Sequence, residues 1–156
     1  SKRNMRDRLT WHEYFIGLAE FSSIRSHDTE TQVGCVIVDS NNHVIGLGYN
    51  GFCSGVDDKN LPNKRPNKYP FIVHAEQNAL ANMSLKSSSE KRAYITAYPC
   101  SVCAKLLWQN GVRLWYIAKG GKAHSFDNND SDVINHLQKF GLIIKEIPIK
   151  TRVSLL

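Results

Sequence analysis

The sequence predicts an α/β protein of three α/β/α layers, in which a mixed central sheet of about five strands has helices on both faces. Two features favour this class. Helical apolar spacing alternates with short β-branched runs along the chain, and such alternation is typical of right-handed crossovers onto one sheet. The length of 156 residues suits one core but not two, so we expect a single domain over residues 1–156.

The composition, with 42% hydrophobic and 22% charged residues, is typical of a globular chain. The formal charge of +6 favours anionic partners. Because the basic residues are scattered among acidic ones, nucleotide phosphates fit as well as nucleic acid does. No apolar run reaches membrane-spanning length, and no basic segment followed by an apolar one marks a secretory signal. We expect a cytosolic protein, in the host cytosol if a phage or virus encodes it, with no membrane partner.

The first helix is predicted from Trp11 to Ile24, where apolar and aromatic residues recur at helical spacing. Thr10 precedes this helix as a candidate N-cap, with Glu13 three residues later. Two β-branched runs, Val33 to Val38 and Val44 to Tyr49, follow and predict an antiparallel hairpin.

A long polar loop then runs to Pro70, and loops of this length are usually functional or disordered. Its basic residues Lys64, Arg65 and Lys68 are expected to be solvated, as most charged side chains are. The rest of the chain alternates between helix and strand. We predict helices at Val73–Met83, Cys100–Asn110 and Ser131–Phe140, strands at Ala93–Thr96, Leu114–Ala118 and Leu142–Ile147, and a loop at Lys119–Asp130.

Two short motifs carry the candidate chemistry. His74-Ala75-Glu76 is followed by Pro99-Cys100-Ser101-Val102-Cys103. His74, Cys100 and Cys103 make a Zn²⁺ ligand set of one imidazole and two thiolates, which leaves one tetrahedral position open for water, as in catalytic zinc sites. Glu76 would then lie near the metal without binding it, as a proton carrier. Each motif alone also suits a helix start, a redox pair or half of a zinc knuckle, but together they form the signature of the zinc-dependent base deaminases.

The other two cysteines are less informative. Cys35 lies in an apolar strand and is predicted to be buried, while Cys53 lies in a glycine-rich loop. A chain of this size does not need a disulfide framework. Whether Cys53 and a histidine such as His27 bind a second zinc stays open.

Segments well beyond the zinc motifs point to one family. They are Trp11–Phe15, Arg25-Ser26, Gln32–Gly34, Gly48–Gly51, Gly55–Asp58, Lys68–Pro70, His74–Ala79 and Pro99–Lys105. In these segments the chain resembles the deoxycytidylate (dCMP) deaminase family, which has the cytidine-deaminase-like fold. The Gly-Tyr-Asn-Gly stretch at residues 48–51 is absent from the cytosine, guanine and tRNA adenosine deaminases that share the zinc motifs. His12 departs from the proline that relatives often carry.

This resemblance implies hydrolysis of dCMP to dUMP and ammonia, which supplies dUMP for thymidylate synthesis. It also implies a hexamer that dCTP activates and dTTP inhibits. For this reaction, Glu76 would take a proton from water, pass it to ring N3 of the cytosine and later protonate the departing amine.

Three alternatives remain. Some viral relatives also act on dCTP, so a bifunctional enzyme fits the same motifs. A polynucleotide cytidine deaminase would need an exposed stacking platform, whereas Trp108 and Trp115 fit buried helix and strand positions, so no nucleic-acid partner is expected. A non-catalytic zinc module that binds nucleotides would not need Glu76.

Five residues are candidates for substrate binding. Arg25 would bind the 5′-phosphate, because a guanidinium can bind phosphate in bidentate fashion, although a surface ion pair is the alternative. Asn50 would bind the 3′-hydroxyl or the base, or else make a tight Asn-Gly turn. Tyr98 would wall the sugar pocket and help exclude a 2′-hydroxyl, or else pack in the core. Ala75 and Ser101, beside the zinc ligands, complete the set.

The predicted effector segment is rich in glycine, and glycines let backbone amides approach a phosphate closely. This chemistry is compatible with a triphosphate effector or with the substrate. The effector assignment itself is implied by the resemblance, and it covers Gly48, Tyr49, Gly51, Phe52 and Gly55.

Overall fold

A computed structural model describes residues 7–56, 58–84, 90–120, 128–151 and 154–156 of the chain. The helices are α1 (Trp11–Ser23), α2 (Ala75–Ala81), α3 (Ser101–Gln109) and α4 (Asn128–Lys139). The strands are β1 (Gly34–Asp39), β2 (Val44–Tyr49), β3 (Gly51–Phe52), β4 (Ile72–Val73), β5 (Lys91–Ile95), β6 (Val112–Ala118) and β7 (Ile143–Ile147). Short 3₁₀ helices lie at Asp58–Asn60 and Tyr69–Phe71.

Five strands form the main sheet, in the order β2-β1-β5-β6-β7. β1 is antiparallel to β2 and to β5, while β5, β6 and β7 are parallel. The predicted mixed sheet and its antiparallel β1–β2 hairpin are therefore confirmed. β3 and β4 form a separate two-stranded antiparallel ribbon, in which Gly51 is opposite Val73.

Helices cover both faces of the sheet, so the predicted three-layer class is confirmed. On one face, α1 packs Phe15, Ile16 and Ala19 against Val36, Val38, Tyr94 and Tyr116. On the other face, α2, α3 and α4 pack Ala75, Ala79, Ala104, Leu107 and Ile134 against Cys35, Ile37, Ile95, Trp115 and Ile117.

The predicted start of α1 is confirmed in detail. The Thr10 hydroxyl accepts a hydrogen bond from the Glu13 amide at 3.1 Å, and the Glu13 carboxylate accepts one from the Thr10 amide at 2.9 Å. This reciprocal capping box satisfies two amide groups that have no partner within the helix.

Glycines in β2 let α2 lie directly on the strand. A Cβ atom at Gly48 would lie 2.4 Å from both the Ala75 carbonyl oxygen and the Ala79 amide nitrogen. A Cβ atom at Gly46 would lie 2.6 Å from the Ala79 carbonyl oxygen. The α2 backbone, and with it the first turn that carries Glu76, is thus held against β2 at a separation that larger residues would prevent.

The structure differs from the sequence prediction in several places. Val73, predicted to begin a helix that ends at Met83, lies in β4, and α2 spans Ala75–Ala81. The β3–β4 ribbon was not predicted, because each strand has two residues and shows no periodicity. α4 begins at Asn128, so the predicted loop at 119–130 is too long at its end, and Asp130 lies in the first helical turn. Polar residues that compete with a helix interior are favoured at helix starts. The remainder of that loop at 121–127, the serine-rich turn at 85–89 and Asp57 lie outside the described residues.

No helix in the described ranges is long and apolar enough to cross a bilayer.

Candidate functional site

Two helix starts bring the three predicted metal ligands together. His74 is the N-cap residue of α2, Cys100 is the N-cap residue of α3, and Cys103 lies in the first turn of α3. The His74 Nδ1 atom is 3.6 Å from the Cys100 Sγ atom and 3.3 Å from the Cys103 Sγ atom. In the part of the chain that the structure describes, these three residues form the one group of three or more potential metal ligands. Their ligand atoms lie within 4.8 Å of one another.

Local hydrogen bonds fix the backbone at the start of each ligand-bearing helix. The His74 amide donates to the Gln77 side-chain oxygen at 2.8 Å. The Cys100 sulfur accepts a hydrogen bond from the Cys103 amide at 3.5 Å, as the side chain of an N-cap residue does. Each ligand is therefore fixed by the helix that it begins.

The distances fit a tetrahedral zinc. Zn–S bonds of about 2.3 Å and Zn–N bonds of about 2.0 Å place neighbouring N and S ligands about 3.5 Å apart. The two N···S separations of 3.6 and 3.3 Å lie at this value. One imidazole nitrogen and two sulfurs are also the ligand types that zinc prefers.

The pKa values of the two thiols differ. The hydrogen bond from Cys103, together with His74, lowers the pKa of Cys100 to about 4. The pKa of Cys103 is raised, because its hydrogen donates to Cys100 and because the group is buried. The pKa of His74 is raised by its interaction with Cys100 and by the negative charges of Glu76 and Asp130.

Glu76 lies in the first turn of α2 and is only 1% exposed. No described residue hydrogen-bonds to its Oε2 atom. Burial is the main cause of its pKa lying above the usual carboxyl value, although the positive charge of His74 opposes the shift. A buried carboxylate oxygen without a partner is costly, so its presence beside three metal ligands indicates a group that bonds to something held at the site.

A family model described as the cytidine and deoxycytidylate deaminase zinc-binding region matches residues 9–119. The chain belongs to this family. The resemblance inferred from the sequence motifs is thereby confirmed, and the matched region includes His74, Cys100 and Cys103, which form a possible metal site.

Individual family members are similar over much of their length. Human deoxycytidylate deaminase is 42% identical over 113 residues, which are 69% of this chain and 64% of the human protein. The dCMP deaminase of cyanophage S-TIM5, solved in complex with dCMP and dUMP, is 30% identical with a TM-score of 0.71, covering 86% of this chain and 95% of the phage chain. A guanine deaminase from Nitrosomonas europaea is 15% identical with a TM-score of 0.54, covering 94% and 82% of the two chains, and shares the fold.

Arg25, the residue predicted to bind the 5′-phosphate, lies beside the predicted effector segment. The Arg25 guanidinium lies over the Tyr49 ring at 5.7 Å, and His27 stacks on Phe52 with ring centroids 4.3 Å apart. Gly51 adjoins the same His27 ring. Gly55 has a φ of +81° with open space around it, whereas Gly48 faces α2 as described above.

Asn50 is buried, and its side chain bonds to the chain before β1. Its amide oxygen accepts a hydrogen bond from the Val33 amide at 2.8 Å, and its amide nitrogen donates to the Thr31 carbonyl at 2.9 Å. The side chain therefore fixes residues 31–33 relative to the end of β2.

The Tyr98 side chain is held by a hydrogen bond to β7. Its hydroxyl donates to the Glu146 carboxylate at 2.5 Å, and burial together with this hydrogen bond raises the pKa of Tyr98 to about 12. The Ser101 amide donates to Asp130 at 2.6 Å, and Ala75 is buried at the start of α2.

The structure also corrects the interpretation of the basic loop. Lys68 was expected to be solvated, but its side chain is 4% exposed and its ammonium lies 2.8 Å from Asp28 and 3.1 Å from Glu30. Asp28 in turn accepts hydrogen bonds from the Glu30 and Thr31 amides. Composition gives no sign that one lysine of a basic group is buried. The Lys-Tyr-Pro segment of the family resemblance was the available signal.

The other cysteines lie apart from the metal ligands. Cys35 is fully buried in β1, as predicted, and Cys53 is exposed. Among the described residues Cys53 belongs to no group of three potential ligands, and His27 stacks on Phe52.

Replacing Asp28 with asparagine is expected to destabilise the protein in a pH-dependent way. At pH 7 the variant should lose about 3 kcal/mol of unfolding free energy, because Lys68 remains buried with Glu30 as its one carboxylate partner. Burial alone would raise the pKa of Asp28. Hydrogen bonds from Lys68 and two backbone amides together lower this pKa by more than burial raises it, so the net shift is downward. The stabilisation is therefore present above the ordinary pKa of about 3.9 and is lost as pH falls through the lowered value.

Urea unfolding from pH 7 to pH 3.5 measures this effect, with the exposed Asp58→Asn as the control. The difference between wild type and Asp28→Asn should be largest at pH 7 and should shrink in the most acidic samples. A constant difference, or one that grows on acidification, would contradict the ion-pair interpretation.

Proposed function

We propose that this chain, acting as a single domain, is a zinc-dependent hydrolase that converts dCMP to dUMP and ammonia. The observation that carries the proposal is the buried Glu76 carboxylate oxygen, which bonds to no residue that the structure describes. It lies beside three ligands that would leave one tetrahedral position open. Relatives named deoxycytidylate deaminases support the choice of nucleotide. The chain spans about two thirds of the human relative that it matches, 64% of its length.

In the proposed reaction His74, Cys100 and Cys103 would hold the zinc, and Glu76 would move the protons. A zinc ion in such a set lowers the pKa of water to about 7, which makes hydroxide available at neutral pH. Glu76 would accept a proton from water and deliver it to cytosine N3 as oxygen adds at C4. It would then take the proton of the new C4 hydroxyl and pass it to the 4-amino group, so that ammonia leaves as the C4 carbonyl forms. Burial raises the pKa of Glu76 above the usual carboxyl value, which favours proton donation by a group that must both accept and donate.

We propose that residues that follow the ends of α1 and β2 bind the nucleotide. Arg25 is exposed and would bind the 5′-phosphate, while Asn50 would present its remaining amide hydrogen to the sugar. Ala75 and Ser101 would contact the base beside the metal ligands. Tyr98 would contribute through its backbone and ring, since its hydroxyl is bonded to Glu146.

We assign regulation by dCTP and dTTP to Gly48, Tyr49, Gly51, Phe52 and Gly55, within a cytosolic hexamer that supplies dUMP for thymidylate synthesis. The β3–β4 ribbon supports this assignment, because Gly51 and Phe52 pair with Val73 and Ile72, and Val73 immediately precedes His74. A nucleotide that moves β3 would therefore move a ligand of the metal. The family resemblance supplies the identity of the effectors.

Two of the three tryptophans do not favour a polynucleotide substrate, and the third, the exposed Trp11, already has one face stacked on Phe15. Trp115 is fully buried, and Trp108 is half-buried beneath Arg113, whose guanidinium lies 3.9 Å from the ring centroid. Neither ring offers an open face for base stacking.

Zinc-loaded protein is expected to release ammonia from dCMP, and dTTP should suppress this activity. The assay compares dCMP with dCTP, each with and without dTTP. Comparable turnover of dCTP would make the enzyme bifunctional, and activity insensitive to dTTP would remove the effector assignment. Zinc-loaded protein that acts on neither nucleotide would contradict the proposed function.

Glu76→Gln should retain zinc but lose deaminase activity by at least about 10²-fold, because glutamine cannot carry the proton. Cys103→Ser should instead lose the metal, because a zinc ligand is removed. Metal analysis and ammonia release on the same samples separate the two effects. A Glu76→Gln protein that keeps wild-type turnover would exclude Glu76 as the proton carrier.

A further inference from the structure

A buried carboxylate from the C-terminal part of the chain contacts the helix that carries two metal ligands. Asp130 lies in the first turn of α4, is 7% exposed and accepts a hydrogen bond from the Ser101 amide at 2.6 Å. Ser101 is the first residue of α3 and directly follows Cys100. Asp130 lies outside residues 9–119, the region that the family model matches.

This contact gives a partner to one of the amide groups in the first turn of α3. Amide groups at a helix start have no partner within the helix. The Cys103 amide donates to the Cys100 sulfur and the Ala104 amide donates to the Cys100 carbonyl. The Ser101 amide donates to Asp130 instead, so a side chain from another helix holds the residue between the two ligand positions.

The position of Asp130 is itself well determined. α3 and α4 pack against each other, and Ile134, one turn after Asp130, is buried in the core. The positive ends of both helices favour a negative group between them. A buried carboxylate is retained only where hydrogen bonds compensate for lost hydration, so this side chain is not an incidental surface contact.

We propose that Asp130 is a positioning residue for the zinc site. It holds the first turn of α3 so that Cys100 and Cys103 present both sulfur atoms towards His74. The inference rests on the zinc site of the proposed function and not on the identity of the nucleotide, so it can fail while that function stands, and the reverse.

Three full-length variants test the role. Asp130→Ala removes the acceptor, and Asp130→Asn keeps an oxygen acceptor of similar size but removes the charge. Asp132→Asn is the matched control, because Asp132 lies exposed on the same helix. For each protein, zinc affinity is measured by competition with a chromophoric chelator. The absorption bands of the cobalt-substituted protein report ligand geometry, and thermal unfolding of the metal-free protein reports the fold.

Asp130→Ala is expected to weaken zinc binding by about 10- to 100-fold and to shift the cobalt bands, as loss of a group that orients a metal ligand does. Asp130→Asn should show a smaller loss, and Asp132→Asn should match wild type. If Asp130→Ala does not fold, a weakened zinc affinity of folded Asp130→Asn supports the proposal and wild-type affinity overturns it. Unchanged zinc affinity and cobalt bands in a folded Asp130→Ala protein, even with a lowered melting temperature, would also overturn it.

Discussion

The site depends on two helices that begin at the same place. α2 and α3 bring His74, Cys100 and Cys103 to within ligand distance of one another because each helix starts at or next to one of these residues. Helix starts also direct backbone amides and the positive end of the helix dipole at the sulfurs, which favours thiolates. The same arrangement puts Glu76, in the first turn of α2, beside the ligands while keeping it out of water.

The rest of the fold fixes the first turns of α2 and α3 relative to each other. The glycines of β2 let α2 approach the sheet, and the parallel β5–β6 pair places α3 in the crossover between its strands. His74 is reached from the long loop, which the buried Lys68 ammonium joins to Asp28 and Glu30. Removing one partner of a buried pair of this kind costs about 3–5 kcal/mol, so the loop that delivers a metal ligand is firmly held in spite of its length.

Periodicity and spacing were sufficient to predict α1, the β1–β2 hairpin and the later alternation of helix and strand. The Thr10 capping box, the β1–β2 hairpin and the three metal ligands follow from local rules that need few neighbours. The burial of Lys68 and the contact of Asp130 with Ser101 join residues that are 40 and 29 positions apart. Pairings at such separations depend on how the chain folds in three dimensions, and no local pattern in one sequence encodes them. The β3–β4 ribbon was not predicted because each of its strands has two residues, which are too few to show a period.

The central claim is that one histidine and two cysteines hold a zinc whose fourth position stays open to water. X-ray absorption spectroscopy of the zinc-loaded protein tests it most directly. We expect the zinc to have two sulfur neighbours at about 2.3 Å and two nitrogen or oxygen neighbours at about 2.0–2.1 Å. In Cys103→Ser, any residual zinc signal should have one sulfur fewer. Three or four sulfur neighbours in the wild-type protein would indicate a closed structural site and would contradict the account.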